Sequence, residues 1–115
     1  MEEVKVIKIS ENPVMPIPGH QGCTSQEIVG PSMGVNSCVV KLGVYEPGGT
    51  ADEHVHESSE HVFYILTGAM TIVVNGKSYS AQAGEGLYVP AGVPHAALNG
   101  AKGYTTYLAV TLPPS

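Results

Sequence analysis

Glycine and proline interrupt this chain so often that few stretches between them leave room for three turns of helix: 14 glycines and 9 prolines are spread over 115 residues. Between them lie short runs of Val, Ile, Tyr and Thr, side chains that suit a pleated, half-buried surface. An all-β fold follows. The expected strands are Val4–Ile9, Gln26–Val29, Cys38–Tyr45, Glu53–His56, His61–Leu66, Ala69–Val74, Lys77–Gln82, Gly86–Val89, His95–Leu98 and Tyr104–Leu112. Their regular spacing, with Gly/Pro turns between them, predicts an antiparallel barrel or double-sheet sandwich. The clearest local signal is Asn75-Gly76 between Val74 and Lys77. Both residues tolerate positive φ, so a two-residue type I′ hairpin is expected there.

The first third of the chain reads differently, because Asn12-Pro13 and Pro16-Ile17-Pro18-Gly19 cannot hold a central strand. Residues 1–37 are expected to form an arm with one or two edge strands, packed on the barrel of residues 38–115 or on a partner subunit. The whole is expected to be one structural domain, and a homodimer is the expected assembly. Ten acidic residues against five basic ones give a net charge of −5. A phosphate backbone is repelled by that balance, so nucleic acid is not an expected partner. All five basic residues are lysines, so the planar guanidinium fork that grips carboxylates and phosphates is absent. Cys23 and Cys38 lack the spacing of a metal-binding or redox pair and read as small semi-buried side chains. An acidic start and the lack of any apolar run of membrane length lead us to expect a cytoplasmic protein with no membrane partner.

The chemistry is carried by histidine. Four of the five fall in or beside two Gly/Pro-bounded segments, Gly48 to His61 and Gly84 to Asn99. His54 and His56 are separated by one residue, so in an extended strand both imidazoles project from one face and can share an ion. Alone, such a pair is more often ordinary. It gains weight from His61, which opens the next expected strand, and from His95, which follows Pro90-Ala91-Gly92-Val93-Pro94. Four imidazoles converging inside a barrel repel one another if protonated, but neutral and metal-bound they are mutually consistent. His20 lies on an expected loop outside both segments and reads as a solvated side chain.

These two segments resemble the paired motifs of the cupin superfamily, G-x5-H-x-H-x3,4-E-x6-G and G-x5-P-x-G-x2-H-x3-N. The second is complete here as Gly84, Pro90, Gly92, His95 and Asn99. The first matches at Gly48, His54, His56 and Gly68, but its spacing back from Gly68 puts His61 where the glutamate usually stands. Glu60 satisfies the shorter spacing after His56. Neighbouring strand residues face opposite ways, so only one of the two can point inward. His61 is favoured, because moving the strand by one position would also turn Phe63 and Ile65 outward.

The resemblance implies a jelly-roll-like cupin β-barrel holding one divalent transition metal, Mn, Fe, Ni or Zn, on His54, His56, His61 and His95. It further implies a small-molecule ligand or substrate. The reading is a metal-dependent enzyme acting on a small oxygen-bearing molecule, as a redox-neutral isomerase, lyase or cyclase or as a dioxygenase. The alternative is a non-catalytic binder in which the metal anchors the ligand. A purely structural site ranks last, since such sites usually close all positions tetrahedrally and often use cysteine. Asn99 reads equally well as a strand-end residue that bonds nearby backbone.

Overall fold

The computed structural model describes residues 3–115, and its regular structure is almost entirely strand. In chain order the strands are β1 Met15–Pro16, β2 His20–Val29, β3 Val39–His54, β4 Glu60–Thr67, β5 Ala69–Val74, β6 Lys77–Gln82, β7 Gly86–Val89, β8 His95–Asn99 and β9 Thr105–Leu112. They lie in the order β6-β5-β8-β3-β9-β4-β7, with β2 added to β3 and β1 to β2. All pairings are antiparallel. The two end strands, β6 and β7, approach each other, so the sheet curls into a nearly closed barrel. No helix among the described residues is long and apolar enough to cross a membrane.

The antiparallel barrel is the fold the punctuation predicts, and β5, β6 and β7 have the expected bounds. The β5–β6 hairpin pairs Val74 with Lys77 across Asn75 and Gly76, whose φ values are 51° and 78°. Both central residues are left-handed, as a type I′ turn requires.

Besides β2, which begins at His20 where a strand is expected only from Gln26, two expectations differ from the structure. Residues 4–8 form no strand, and a short 3₁₀ turn follows at Ile9–Glu11. β-propensity alone does not make a strand, which needs a neighbouring edge to satisfy its backbone. The second difference is that β3 runs unbroken from Val39 to His54, where two strands are expected. Pro47-Gly48-Gly49 bends the chain, with Gly48 at φ 76°, but does not end the ladder. Residues Val39 to Tyr45 pair with β9, and residues from Thr50 onward pair with β8. Because β2 pairs with both halves and absorbs the bend by a register shift between Gln21 and Cys23, the strand passes from one side of the barrel to the other.

The interior is built on Tyr45, Ile65, Met70, Ile72, Val89 and Tyr107, all buried. Gly43 makes room for one of them. It pairs directly with Tyr107, and a Cβ added at Gly43 would stand 2.2 Å from Tyr107 Cζ, so the ring lies across the bare strand position. There it stacks on Tyr45 at 5.5 Å between centroids, and its Oη lies 3.3 Å from Cys23 Sγ. Burial pushes the Tyr45 and Tyr107 hydroxyls and the Cys23 thiol up from their ordinary values, so this cluster stays protonated and neutral. Cys23 and Cys38 are both free thiols.

Candidate metal centre

The barrel bend and three strand starts or ends bring four histidines to one stretch of interior. His54 ends β3 and pairs with His95, the first residue of β8. His56 stands just beyond β3, and His61 is the second residue of β4, paired with Val89 and Thr111. Ring centroids are 4.4 Å apart for His54 and His95, 4.2 Å for His56 and His61, and 5.1 Å for His54 and His56. His95 lies 5.8 Å from His61 and 6.2 Å from His56. Glu60 is exposed and accepts a hydrogen bond from Tyr88 on the outer surface, whereas His61 is buried, so adjacent residues of β4 face opposite ways.

The hydrogen bonds say which nitrogen of each ring is bare. His54 Nδ1 lies 2.7 Å from the Asp52 carbonyl oxygen and His95 Nδ1 lies 2.9 Å from that of Val93. A carbonyl only accepts, so both Nδ1 atoms carry the proton, and in the neutral ring Nε2 keeps its lone pair. Nδ1 of His61 bonds the Thr111 hydroxyl at 2.9 Å, and Nδ1 of His56 bonds that of Ser115 at 2.5 Å. All four rings are thus held through Nδ1. Nε2 of His61 and of His95 is buried with no hydrogen-bond partner. A buried polar atom without a partner is costly, so two such atoms in one cluster call for an explanation.

Burial lowers the basicity of these rings. It holds the His61 imidazole down to about 4, aided by the neighbouring His56, His95 and His54. Burial likewise lowers His56 and His95, with His54 adding to both effects. An unfolded chain binds these protons near pH 6.5, earlier than the folded one. Without metal, the fold therefore has its full stability above about pH 6.5 and loses it as pH falls towards 4. Thermal melts of chelator-treated protein should show Tm dropping steadily through that window. A Tm constant between pH 7 and pH 5 would contradict neutral, buried imidazoles.

Three of the four, His54, His56 and His61, line a cavity of about 120 Å³, walled also by Ile17, His20, Lys41, Phe63, Tyr107 and Ala109, while His95 lies outside its lining. His20 is the residue the sequence reading misses. It is half-buried at the start of β2, where pairing with Ala51 places its ring 5.8 Å from that of His54. Its Nδ1 donates to the Pro18 carbonyl at 3.0 Å, the same bond to residue i−2 that His54 and His95 make. Nothing in Gly19-His20-Gln21-Gly22 signals this, because the proximity depends on a pairing between distant segments.

Asn99 belongs to the scaffold. Its Nδ2 donates to the carbonyls of Glu46 at 2.9 Å and Gly103 at 2.8 Å. Its Oδ1 accepts from the Ala101 amide at 2.9 Å and the Thr105 hydroxyl at 2.8 Å. Both donors and both lone pairs are used, tying the bend of β3 to the loop between β8 and β9.

Fold and site together define a small β-barrel with a histidine-lined interior cavity. Residues 41–111 match the family model described as Cupin domain, and the chain belongs to the cupin family. CurC, a polyketide synthase protein of Streptomyces cyaneus, is 28% identical over 64 residues, which are 56% of this chain and 42% of that protein. TcmJ, a tetracenomycin polyketide synthase protein of Streptomyces glaucescens, is 28% identical over 88 residues, 76% of this chain and 59% of its own length. The matches thus span about half the length of these relatives. Among solved structures, the polyketide cyclase RemF of Streptomyces resistomycificus superposes with a TM-score of 0.84 over 96% of this chain and 80% of that one, at 24% identity, a likeness of fold.

Proposed function

We propose that this chain is a metal-dependent cupin enzyme that carries out a redox-neutral rearrangement, such as a ring closure, on a small oxygen-rich molecule, with one divalent ion held by His54, His56, His61 and His95. The observation that carries this reading is the pair of buried, partnerless Nε2 atoms on His61 and His95, on rings fixed through Nδ1. Metal-ligating histidines characteristically use one nitrogen for the ion and give the other to a carbonyl or hydroxyl. The ring spacing supports it too. With ligand nitrogens about 2.1 Å from an ion, ring centroids fall about 3.2 Å from it, and pairs of rings lie about 4.5 Å apart at right angles and about 6.4 Å apart when opposed.

Among the described residues no group of three His, Cys, Asp or Glu is preassembled as a metal-holding set. A shift of the half-buried rim rings, His54 and His56, towards the buried pair is the adjustment this reading requires. The donor set, all imidazole with no thiolate or carboxylate, suits Zn, Fe or Ni, with Mn as the harder alternative.

When bound, such an ion keeps its full double charge because all four ligands are neutral, and it supplies Lewis acidity towards a substrate oxygen. The chain's own side chains do the rest. Lys41 offers an ammonium at the cavity wall to a second oxygen or to developing negative charge. Phe63, Tyr107 and Ile17 exclude water from the reacting end. His20, with Nδ1 fixed on a carbonyl, presents Nε2 as the proton acceptor beside the cluster. The relatives named as polyketide synthase proteins favour a polycarbonyl substrate. The two free thiols fit a reducing cytoplasm, and a homodimer is the assembly we propose.

Protein purified without chelator should carry about one transition-metal ion per chain and convert a polycarbonyl substrate to an isomeric or dehydrated product without consuming oxygen. Oxygen uptake coupled to turnover would replace this reading with a dioxygenase. Tight binding without any turnover would make the chain a metal-anchored binder.

A further inference from the structure

A second and larger cavity lies where the barrel stops short of closing. β6 and β7 are the two ends of the sheet and share no ladder, and beside the seam between them is a space of about 360 Å³. Ile72 and Val74 of β5 and Leu87 and Val89 of β7 line it, with Tyr79 and Tyr88 at its rim, 44% and 58% exposed. None of its lining residues is charged.

Strand register sets this space next to the histidines. Val89 pairs with His61 and Leu87 with Phe63, and His61 and Phe63 line the smaller cavity. On the other sheet Ile72 pairs with Ala97 and Val73 with Ala96, which puts Val74 next in register to His95. Ile72 and Val89 are buried in the core, so this cavity, like the other, lies on the inner side of the sheet. His61 and His95, the two rings whose Nε2 atoms are buried without a partner, each stand about 4.8 Å, one strand spacing, from a residue of the apolar lining. Lys41 and His20 line the smaller cavity and not this one.

We infer that the seam cavity holds the apolar body of the substrate, a planar system of two fused rings, whose oxygen-bearing end reaches past His61 and His95 into the smaller cavity. This deepens the reading proposed above and rests on it. Volume is one reason. Sites for small organic molecules span roughly 300–1,000 Å³, so the 120 Å³ beside the histidines takes only the reacting end of such a molecule. An apolar cavity of about 150 Å³ accepts one benzene ring, and 360 Å³ has room for two. Chemistry is the other reason. One end offers an ammonium and imidazoles, the other only uncharged aliphatic and aromatic side chains. A molecule that satisfies both is oxygen-bearing at one end and aromatic at the other. The seam supplies the way in, because a ring can pass between β6 and β7 without breaking a backbone hydrogen bond of the sheet.

Acetohydroxamic acid and 2-naphthohydroxamic acid carry the same chelating pair of oxygens and differ in the body, so calorimetric titration of both into metal-loaded protein separates the two ends. The naphthyl probe should bind at least about 30-fold tighter, the gain expected from burying its rings. Leu87→Trp, which fills the seam cavity, should shrink that difference to about threefold or less, and Leu98→Trp, at an exposed position on β8, should leave it. Should Leu87→Trp fail to fold, Val74→Phe makes the same test at a half-buried position. 2-Naphthol, which lacks the chelating pair, should bind chelator-stripped protein and lose that binding in the filled variant. Equal affinity of the two hydroxamates, with 2-naphthol unbound, would overturn the seam cavity as a substrate site and leave the metal centre standing. Binding of 2-naphthol with neither hydroxamate held would remove the metal reading, and with it the two-ended substrate inferred here.

Discussion

Replacing His61 with alanine is expected to lower metal affinity at least about 100-fold, because removing a ligand costs more than losing an outer-shell partner, which already costs about 10- to 100-fold. Glu60→Ala should keep the metal. The two residues are neighbours, yet His61 is buried with a partnerless Nε2 and Glu60 lies on the outer surface bonded to Tyr88. Metal content after dialysis, together with competition against a calibrated chelator, measures the difference, and circular dichroism checks that the alanine chain is folded. Retention by His61→Ala with loss from Glu60→Ala would restore the glutamate as ligand.

Asn99→Ala is expected to cost about 2–4 kcal/mol of stability. It leaves the carbonyls of Glu46 and Gly103 without their donor and the Ala101 amide without its acceptor, while the Thr105 hydroxyl keeps the Ala69 carbonyl. For a domain of this size, that corresponds to a Tm lower by roughly 10 °C or more. Urea unfolding of the metal-free protein reads the energy directly. A loss under about 1 kcal/mol would show that water replaces these bonds, and the clip between the β3 bend and the β8–β9 loop would then carry little weight.

The site was legible in the sequence wherever its geometry is local. His54 and His56 share a strand face through a spacing of two, and the hairpin at Asn75-Gly76 needs only the backbone freedom of its own residues. The inward choice of His61 over Glu60 follows from strand alternation and the distance to Gly68, where the connection between β4 and β5 runs at φ 81° with no room for a side chain. What escaped was non-local. His20 joins the cavity through the β2–β3 register. The continuity of β3 through Pro47-Gly48-Gly49 depends on β2 bridging the bend, and no strand forms over residues 4–8 because a strand needs an edge to pair with. Asn99 could be named from its motif, but its four hydrogen bonds needed the folded loop to be visible.

The central claim is that four imidazoles from two separate stretches of chain meet on one ion. X-ray absorption at the metal edge, recorded on chelator-stripped protein reloaded with one equivalent of metal, counts them directly. The account predicts outer-shell scattering from four imidazole rings and no sulfur. A first shell with two or fewer imidazoles would contradict it.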